Sequence, residues 1–338
     1  MPRAVRTDIV QPDGRHVYLY GASAPPPADY QAPSTPNGTY QRRWNPLRRE
    51  WVLVAASRQA RTFLPDRADC PLCPSRAGRS TEIPASRFEA AVFENRFPAM
   101  VPARPAGGSC EVVVYTDEHD GAFATLPRDR LELLAEVWTD RYRELTSRRG
   151  IGYVFIFENR GEQVGVTLHH PHGQIYAYPF VPPVAATELG RHAGGCLQCH
   201  LVRDELKARR RVLINEGGIV AYVPESARWS YEVHVATRAH RPALPDLPAA
   251  GRRALLAAMQ RVTRAYDRLF EVPMPYMMSM HQSPAEVSAQ AHLHVEFYPI
   301  LRDRGKIKYL AGSESGAGVF INDTLAEESA DRLRSLLE

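Results

Sequence analysis

The sequence has no long apolar run, few lysines and little net charge. No stretch approaches the roughly 20 apolar residues that a membrane-spanning helix needs, and the residues after Met1–Arg6 lack the apolar core of a signal peptide. Lysine occurs only at Lys207, Lys306 and Lys308, and 42 basic against 38 acidic residues give a net charge of +4. We therefore expect a cytoplasmic protein that acts neither at a membrane nor mainly on nucleic acid.

Cysteine is scarce too, but its spacing is informative. Four of the five cysteines form two Cys-x-x-Cys pairs, Cys70 with Cys73 and Cys196 with Cys199, and Cys110 is left over. Without a secretion signal, such pairs favour metal binding over disulfides. Prolines around the first pair fit a thioredoxin-like redox site poorly, because that site opens a helix. The second pair matches the c-type haem attachment pattern, but haem attachment normally requires export, so we do not expect haem.

Three histidines fall within four residues, in the stretch His169–Gln174. Strand-forming residues flank this stretch, at Val164–Leu168 and Ile175–Tyr178. Alternate residues of an extended chain share a face, so we predict that His170 and His172 point the same way, with an amide beyond them. We hypothesise that one of these histidines attacks a phosphorus atom. Three histidines that ligate one catalytic metal are the alternative.

The chain carries an internal repeat. Its 338 residues, 44% of them hydrophobic, suffice for two domains or one duplicated domain. Five pattern matches recur in the same order, 120–126 residues apart, and this regularity predicts a duplication. The matches are Cys70–Cys73 with Cys196–Cys199, Ser109–His119 with Ser230–His240, Leu126–Pro127 with Leu247–Pro248, His170–His172 with His292–His294, and Tyr178–Pro179 with Tyr298–Pro299.

Each repeat contains one long amphipathic stretch. Strand-like segments surround both stretches, so we expect two small α+β halves, at 41–185 and 186–322, whose antiparallel sheets pair into one larger sheet. Apolar residues at helical spacing predict the buried face of one helix in each half. These residues are Leu131, Leu134, Trp138, Tyr142 and Leu145 in the first half, and Leu255, Met259, Val262, Tyr266 and Leu269 in the second.

Both ends of the chain lie outside the repeats. Residues 1–40 are rich in proline and small polar residues and predict an irregular arm, with a short hairpin around Gln11–Arg15. A C-terminal helix is expected over 323–338, where Thr324–Glu327 has the pattern of a capping box.

The repeat also predicts two matching metal sites. Each set offers two thiolates and two imidazoles, which close a tetrahedral zinc site and leave no position for water, so both sites would be structural. Buried thiols and core histidines without metal are the alternative. The first set is Cys70, Cys73, His119 and His170, and the second is Cys196, Cys199, His240 and one of His292 or His294.

A metal-bound His170 would fix the backbone beneath His172, as a nucleophile requires. Neutral imidazole attacks phosphorus well and leaves again readily, so that one difficult transfer becomes two easier ones. The amide of Gln174 lies two residues further on and can donate to a phosphoryl oxygen without exchanging protons. We therefore predict His172 as the nucleophile and Gln174 as a second catalytic residue.

Arg58 and Arg61 lie three residues apart, after a predicted strand at Trp51–Val54. Such a pair is either a solvated turn or a clamp for phosphate, which suits the fork of donors on arginine. The pattern by itself leaves both interpretations open.

The stretch His170–Gln174 resembles the signature of the galactose-1-phosphate uridylyltransferase family, the transferase branch of the histidine-triad superfamily. Hydrolases of that superfamily usually carry a further histidine where this chain has Gln174. The resemblance runs from about Arg42 to Asp323. Its other motifs are Trp44–Leu47, the Cys70/Cys73 pair, Phe93–Pro98, Phe157–Asn159 and Phe297–Arg302.

The resemblance implies two histidine-triad-like halves that form a half-barrel-like sheet with helices packed on it. It implies a ping-pong reaction: His172 takes the uridylyl group from UDP-glucose, releases glucose 1-phosphate, and passes the group to galactose 1-phosphate. It further implies zinc at the first cysteine set, a second metal, and a homodimer whose active site includes Lys308 of the partner subunit. The implied substrate contacts are Arg58, Arg61, Asn95, Asn159, Thr167, Gln174 and Lys308.

The chain departs from the family at the second metal. One branch uses a glutamate and three histidines there, and lacks the second cysteine pair. We favour the cysteine set with His292, and treat the branch positions as the alternative, which could hold another divalent metal. The residues at those positions are Glu188, His281, His294 and Glu296, so one histidine is replaced.

Two further departures concern specificity. Residues 311–316 lack the tyrosine that the same branch uses at the sugar, and His169 replaces a proline. The nearest rival function is therefore a related nucleoside-diphosphate-sugar phosphorylase or adenylyltransferase. A non-catalytic zinc-binding interaction protein is the rival from another class. It explains the cysteine pairs but not His172 and Gln174.

Overall fold

A computed structural model describes residues 4–28, 30–31, 33, 38–102, 107–190, 195–286 and 288–337. The chain divides into two compact units. In this described part, no helix combines the length and apolar character that a membrane span requires. The first unit comprises residues 1–156, 167–187 and 284–286, and the second comprises residues 157–166, 188–283 and 287–338.

The first unit contains the long helix of the first repeat, and a 3₁₀ turn at Ala56–Ala60 links two of its segments. Its strands are β1 (Val5–Val10), β2 (His16–Gly21), β3 (Tyr40–Asn45), β4 (Glu50–Ala55), β5 (Ala90–Glu94), β6 (Ser109–Val114), β7 (Tyr153–Arg160), which continues into the second unit, and β8 (His172–Tyr178). Its helices are α1 (Arg128–Ser147) and α2 (Pro183–Glu188), whose last residue belongs to the second unit.

The second unit repeats this arrangement around another long helix. Its helices are α3 (Leu197–Ala208), α4 (Ala249–Leu269) and α5 (Ala326–Arg334), with a π-helical turn at Ser313–Ala317. Its strands are β9 (Val212–Glu216), β10 (Ile219–Tyr222), β11 (Val233–Thr237), β12 (Tyr276–His281), β13 (His294–Pro299), β14 (Leu301–Asp303) and β15 (Lys306–Ile307).

The two units share one strand order. In the first unit the order is β1-β2-β5-β6-β8, with β7 beside β8. In the second unit, written in the same direction, the order is β9-β10-β11-β13-β12. Neighbouring strands from β1 to β8 and from β12 to β9 pair antiparallel. The series β5, β6, α1, β7, β8 thus returns as β10, β11, α4, β12, β13. The predicted α+β class with antiparallel sheets is confirmed.

Both long helices form where the apolar spacing predicts them. In α1 and α4 all ten residues of the predicted faces are buried. Each helix begins directly after a proline, Pro127 or Pro248, which has extended backbone and cannot continue a helix backwards. The helices therefore cover one face of each sheet, and chemistry-bearing residues concentrate on β8 and β13.

The N-terminal segment is more regular than the sequence predicts. The hairpin forms, with Gln11 N donating to Arg15 O over 2.8 Å and Gly14 at a φ of 84°. However, β1 and β2 are strands of the sheet, because Val17–Tyr20 is a buried apolar run that pairs with β5. The expected irregular arm over 1–40 is therefore wrong for these strands, and parts of it, such as 34–37, lie outside the described residues.

The strand that carries His172 begins later than the sequence predicts. Val164–Leu168 is not a strand, because Gly161 and Gly165 adopt φ values of 98° and 81°, which extended backbone does not allow. The strand starts directly after Pro171, which lacks a donor for the ladder. Consequently the metal-site histidine of this stretch precedes the strand, whereas the candidate nucleophile opens it.

The C-terminal helix α5 forms, but its capping box does not. The residue before the helix is Leu325, and no side chain caps the first turn. The hydroxyl of Thr324 instead donates to Ser230 O over 2.9 Å, and Glu327 pairs with Arg211 at 2.6 Å. Tertiary partners have taken both side chains of the predicted box.

Candidate active site and metal centres

The first cysteine set converges in the first unit. The ligand atoms of Cys70, Cys73, His119 and His170 all lie within 4.8 Å of one another. The Sγ of Cys73 is 3.3 Å from His119 Nδ1 and 3.6 Å from His170 Nδ1. Zinc bonds in a tetrahedral site place sulfur and nitrogen ligands about 3.5 Å apart. The spacing therefore fits a zinc ion between these four residues.

The surroundings of this cluster orient its ligands. His170 is buried, and its Nε2–H donates to Thr116 O over 2.8 Å, so its Nδ1 carries the lone pair that faces the sulfurs. Burial lowers the pKa of His170 to about 4, which keeps the ring neutral. Burial also raises the pKa of Cys70 to about 12, so its thiolate needs a bound cation.

The second cysteine set converges in the second unit with the same geometry. Cys199 Sγ is 3.4 Å from His240 Nδ1 and 3.3 Å from His292 Nδ1, and Cys196 Sγ is 3.7 Å from His292 Nδ1. His292 Nε2–H donates to Thr237 O over 2.8 Å, as its counterpart does in the first unit. This set is more accessible than the first, because His240 is exposed, whereas His119 at the matching position is half-buried.

A third cluster in the second unit joins Glu188, His281, His294 and Glu296, again within 4.8 Å. Nδ1 of His281 lies 2.9 Å from a carboxylate oxygen of Glu188. Burial alone would raise the pKa of Glu296, but His234, His281 and His294 hold it well below its usual range. The cluster offers two carboxylates and two imidazoles, a donor set suited to a divalent metal.

The second and third clusters share no residue, although the sequence presented them as alternatives. His292 lies with the cysteines, and His294 lies with the carboxylates. Their side chains point to different clusters because one precedes β13 and the other opens it. The described residues therefore contain three separate groups that could hold a metal.

His172 opens β8 with one ring nitrogen committed. Its Nδ1 lies 2.8 Å from His170 O, and because a carbonyl only accepts, this nitrogen carries the proton. Burial lowers the pKa of His172, so the ring stays neutral at neutral pH. The remaining nitrogen, Nε2, then carries the lone pair. The arrangement presents an unprotonated nitrogen from a fixed ring, as nucleophilic attack requires.

Gln174 follows on the same face of β8, two residues beyond His172. On the neighbouring strand β6, Val114 lies opposite His172 and Val112 opposite Gln174. Within the described residues the amide of Gln174 has no hydrogen-bond partner, and it is half-buried. An amide of this kind can donate to an oxygen of a bound phosphate.

Arg58 and Arg61 lie at the 3₁₀ turn after β4 and do not form a merely solvated turn. Arg58 Nη1 donates to Phe97 O over 2.8 Å and to Tyr176 Oη over 3.4 Å, and Arg61 Nε donates to Arg58 O over 3.2 Å. Burial and the charge of Arg58 lower the pKa of Arg61. Neither arginine has a carboxylate partner in the described part of the chain. Two guanidinium groups held together without a counter-ion favour an anion-binding site.

Comparison with known proteins places this geometry in a family. The model of the galactose-1-phosphate uridyl transferase N-terminal domain matches residues 100–182, and that of the C-terminal domain matches residues 186–338. The galactose-1-phosphate uridylyltransferase of Thermotoga maritima is 37% identical over 315 residues, which cover 86% of this chain and 97% of that protein. The chain belongs to the galactose-1-phosphate uridylyltransferase family.

Other members and solved structures agree with this placement. The galactose-1-phosphate uridylyltransferase of Streptomyces lividans is 36% identical over 89% of this chain and 88% of its own length. A solved uridylyltransferase structure has a TM-score of 0.78 at 31% identity and covers 88% of this chain and 98% of its own. An ADP-glucose phosphorylase from Arabidopsis thaliana, with a TM-score of 0.68 at 21% identity, covers 88% and 99% and shares the fold.

The other residues that the family resemblance assigns to the substrate, outside β8, lie in different parts of the structure. Asn95 Oδ1 accepts from Phe97 N over 2.8 Å, which shapes the loop that also holds Arg58. Thr167 O accepts from Leu64 N over 2.8 Å. Asn159 lies near the end of β7 and belongs to the second unit. The structure thus brings the arginine pair and the Asn95 loop together in the first unit.

Lys308 lies within the second unit and turns inward. It is 8% exposed, its Nζ donates to Ile321 O, and it lies 3.3 Å from Glu314 Oε1. Its predicted place as a substrate contact would require this lysine to leave both partners.

The sequence did not predict two parts of the site. It did not single out Tyr176, although strand alternation places this residue on the face of His172 and Gln174. It also gave no signal for the carbonyl of Phe97, because backbone acceptors are not visible in residue types. Cys196 immediately precedes α3, a helix that was not predicted from the sequence.

Proposed function

We propose that this chain transfers a uridylyl group between a UDP-sugar and a hexose 1-phosphate, with UDP-glucose and galactose 1-phosphate as substrates. The observation that carries this proposal is the hydrogen bond from His172 Nδ1 to His170 O, because it leaves the lone pair on Nε2. Membership of the family supplies the identity of the transferred group.

The reaction proceeds in two displacements at one phosphorus atom. His172 Nε2 attacks the α-phosphorus of UDP-glucose, the phosphorus–oxygen bond to glucose 1-phosphate breaks, and a uridylyl-histidine forms. The ring becomes cationic, and Nδ1–H continues to donate to His170 O, which stabilises that charge. A phosphate oxygen of galactose 1-phosphate then attacks the same phosphorus, and His172 leaves as neutral imidazole with UDP-galactose as product.

The neighbouring polar groups bind the phosphates. Gln174 donates its amide to a non-bridging oxygen of the α-phosphate, where charge accumulates in each displacement. Arg58 and Arg61 bind the phosphate of the leaving and entering sugar phosphates. The remaining substrate contacts that we assign from the family signature are Asn95, Asn159 and Thr167. We also assign a homodimer, in which Lys308 of the partner subunit contacts the substrate.

Zinc is the metal that we propose for the two cysteine clusters. In each cluster two sulfurs and two nitrogens would complete the tetrahedron, so the ion would stabilise the fold and not enter the reaction. At the first cluster it would anchor His170, whose carbonyl orients the nucleophile. The third cluster has only oxygen and nitrogen donors and suits another divalent ion. We assign the chemistry to the half spanning 41–185, and a supporting role to the half spanning 186–322.

Labelling with sugar nucleotides tests the proposal. The protein is incubated with UDP-glucose or ADP-glucose, each labelled at the α-phosphate. It is then denatured, and the label that remains attached to it is counted. We expect stoichiometric label from UDP-glucose, and a loss of at least about 1,000-fold in turnover for His172→Gly. Added imidazole should restore part of the turnover, because it fills the space of the missing ring.

The labelling outcomes separate the rival functions. Label from ADP-glucose alone would identify the adenylyl-transferring rival. Full turnover by His172→Gly would remove the proposed nucleophile. An absence of label and turnover with both nucleotides, in protein that holds its zinc, would favour a non-catalytic interaction protein.

A further inference from the structure

We propose that Tyr176 is a positioning residue that holds Arg58 in place without neutralising it. This inference rests on the proposed function, in which Arg58 binds the phosphate of a sugar phosphate. It concerns a residue that lies outside the family signature stretch and has no assigned role.

Tyr176 is placed for this task by the strand that carries the nucleophile. It follows His172 and Gln174 on one face of β8, and Cys110 of β6 lies opposite it. Its side chain is buried, with 8% exposure. A buried phenol on a central strand has little freedom to move, so its hydroxyl is a fixed point for whatever it contacts.

Arg58 is fixed through one of its three guanidinium nitrogens. Nη1 donates to Phe97 O over 2.8 Å and to Tyr176 Oη over 3.4 Å. Nε and Nη2 have no partner in the described part of the chain. The two acceptors thus fix the plane of the guanidinium, and the other nitrogens remain for the oxygens of a phosphate.

Both acceptors are uncharged, and this is the decisive property. A carboxylate at the position of Tyr176 would hold Arg58 more strongly, but it would also cancel the charge that binds phosphate. Burial raises the pKa of Tyr176 to about 12, so the phenol stays neutral at physiological pH. Arg61, whose Nε donates to Arg58 O, adds a second positive charge next to the first.

The second unit shows the contrasting arrangement. There Tyr298 lies four residues beyond His294, as Tyr176 lies four beyond His172, so the strands match these two tyrosines and not Tyr178 with Tyr298, as the sequence repeat indicated. The hydroxyl of Tyr298 donates to the carboxylate of Glu296. Arg228 packs over the Tyr298 ring at 4.8 Å and lies 3.4 Å from a Glu296 oxygen. A tyrosine and an arginine therefore meet in both units. In the second a carboxylate joins them and neutralises the arginine, whereas Arg58 has no carboxylate partner among the described residues.

The test compares Tyr176→Phe with Tyr178→Phe in the full-length protein. Tyr178 lies on the same strand face and is similarly aromatic, but its hydroxyl contacts neither arginine in the structure. We expect Tyr176→Phe to weaken the binding of UDP, measured by calorimetry, by about tenfold, as for the loss of a hydrogen bond to a charged group. We expect KM for UDP-glucose to rise similarly with kcat changed less, and Tyr178→Phe to leave both near wild type.

A double-mutant cycle distinguishes positioning from a general structural effect. If Tyr176 acts through Arg58, Tyr176→Phe should cause little further loss of UDP binding in an Arg58→Gln background. Additive losses, or equal UDP binding by Tyr176→Phe and wild type, would overturn the inference. If wild type binds UDP in a Tyr176-dependent way but takes no label from UDP-glucose, the proposed transfer fails and the positioning role stands.

Discussion

The two units present a histidine at the same place on the same scaffold, but surround it differently. His172 Nδ1 lies 2.8 Å from His170 O, and His294 Nδ1 lies 2.7 Å from His292 O. Two residues further along each strand, the first unit has Gln174 and the second has Glu296. The backbone thus fixes both rings in the same way, and one side chain separates their chemistry.

The charge near each ring decides what it can bind. The free nitrogen of His172 has a neutral amide beyond it on the strand, so an anionic phosphate can approach without repulsion. His294 Nε2 instead lies 3.6 Å from a Glu296 oxygen and 4.0 Å from a Glu188 oxygen. Two carboxylates there favour a cation. A duplicated fold can therefore keep one unit for phosphate chemistry and turn the other towards metal binding.

The largest effect that we expect concerns the buried ion pair between Arg141 of α1 and Glu111 of β6. In the first unit Arg141 and Glu111 are fully buried and lie 2.7 Å apart, whereas the residue at the register position of Glu111 in the second unit is the buried, uncharged Val233. Arg141→Met would leave the Glu111 carboxylate buried without its main partner, at a cost of about 3–5 kcal/mol in the free energy of unfolding. Denaturant titration measures this cost.

A double replacement controls for simple damage to the core. Combining Arg141→Met with Glu111→Leu should recover most of the lost stability, because no charge is then left unpaired. A double variant that is as unstable as the single one would show that packing, and not charge, holds α1 on the sheet.

Exchanging the residues that distinguish the units gives the next largest effect. Gln174→Glu should slow labelling by UDP-glucose about 100-fold, since a donor is lost and a carboxylate faces the phosphate. Glu296→Gln should instead lower the metal content of the third cluster, with a much smaller effect on labelling. Rapid-quench labelling and elemental analysis measure the two outcomes. Equal labelling by Gln174→Glu and wild type would contradict the comparison.

The smallest expected effect separates the two cysteine clusters. The second is more accessible than the first, with an exposed His240. A chelator should therefore remove zinc in two phases, the faster by about tenfold, because shielding by surrounding protein slows ligand exchange. Cys199→Ser should abolish the fast phase, and Cys73→Ser the slow one. A single phase, or the reverse assignment, would show that exposure does not control release.

Periodic and repeated features could be predicted from the sequence. The buried faces of α1 and α4 follow from apolar residues at helical spacing, which depends on local geometry alone. The two cysteine clusters follow from residues that recur in order, because a duplicated chain folds the same way twice. That His172 and Gln174 share one face of β8 follows from strand alternation, which holds whichever residue begins the strand.

Other features escaped prediction because tertiary contacts override local preference. Thr324 was expected to cap α5, but a carbonyl at Ser230 offers its hydroxyl a partner elsewhere. Val164–Leu168 has strand-like composition, but glycines with positive φ on either side of its start turn the chain. Val5–Val10 and His16–Gly21 form strands, because β2 pairs with β5 far along the chain. Ser230 and β5 lie far along the chain from Thr324 and β2, whereas the glycines at Val164–Leu168 act locally through their backbone conformation.

The sequence by itself determined the duplication, the cysteines and histidines that recur in register, and His172 as the candidate nucleophile, because each depends on residue types at fixed spacings. Only the tertiary structure decided that the second and third clusters are separate, since β13 begins between His292 and His294. It alone also joined Arg58 to Phe97 and Tyr176, residues 39 and 118 positions away. Charge balance in a site depends on such distant neighbours, and spacing along the chain does not encode them.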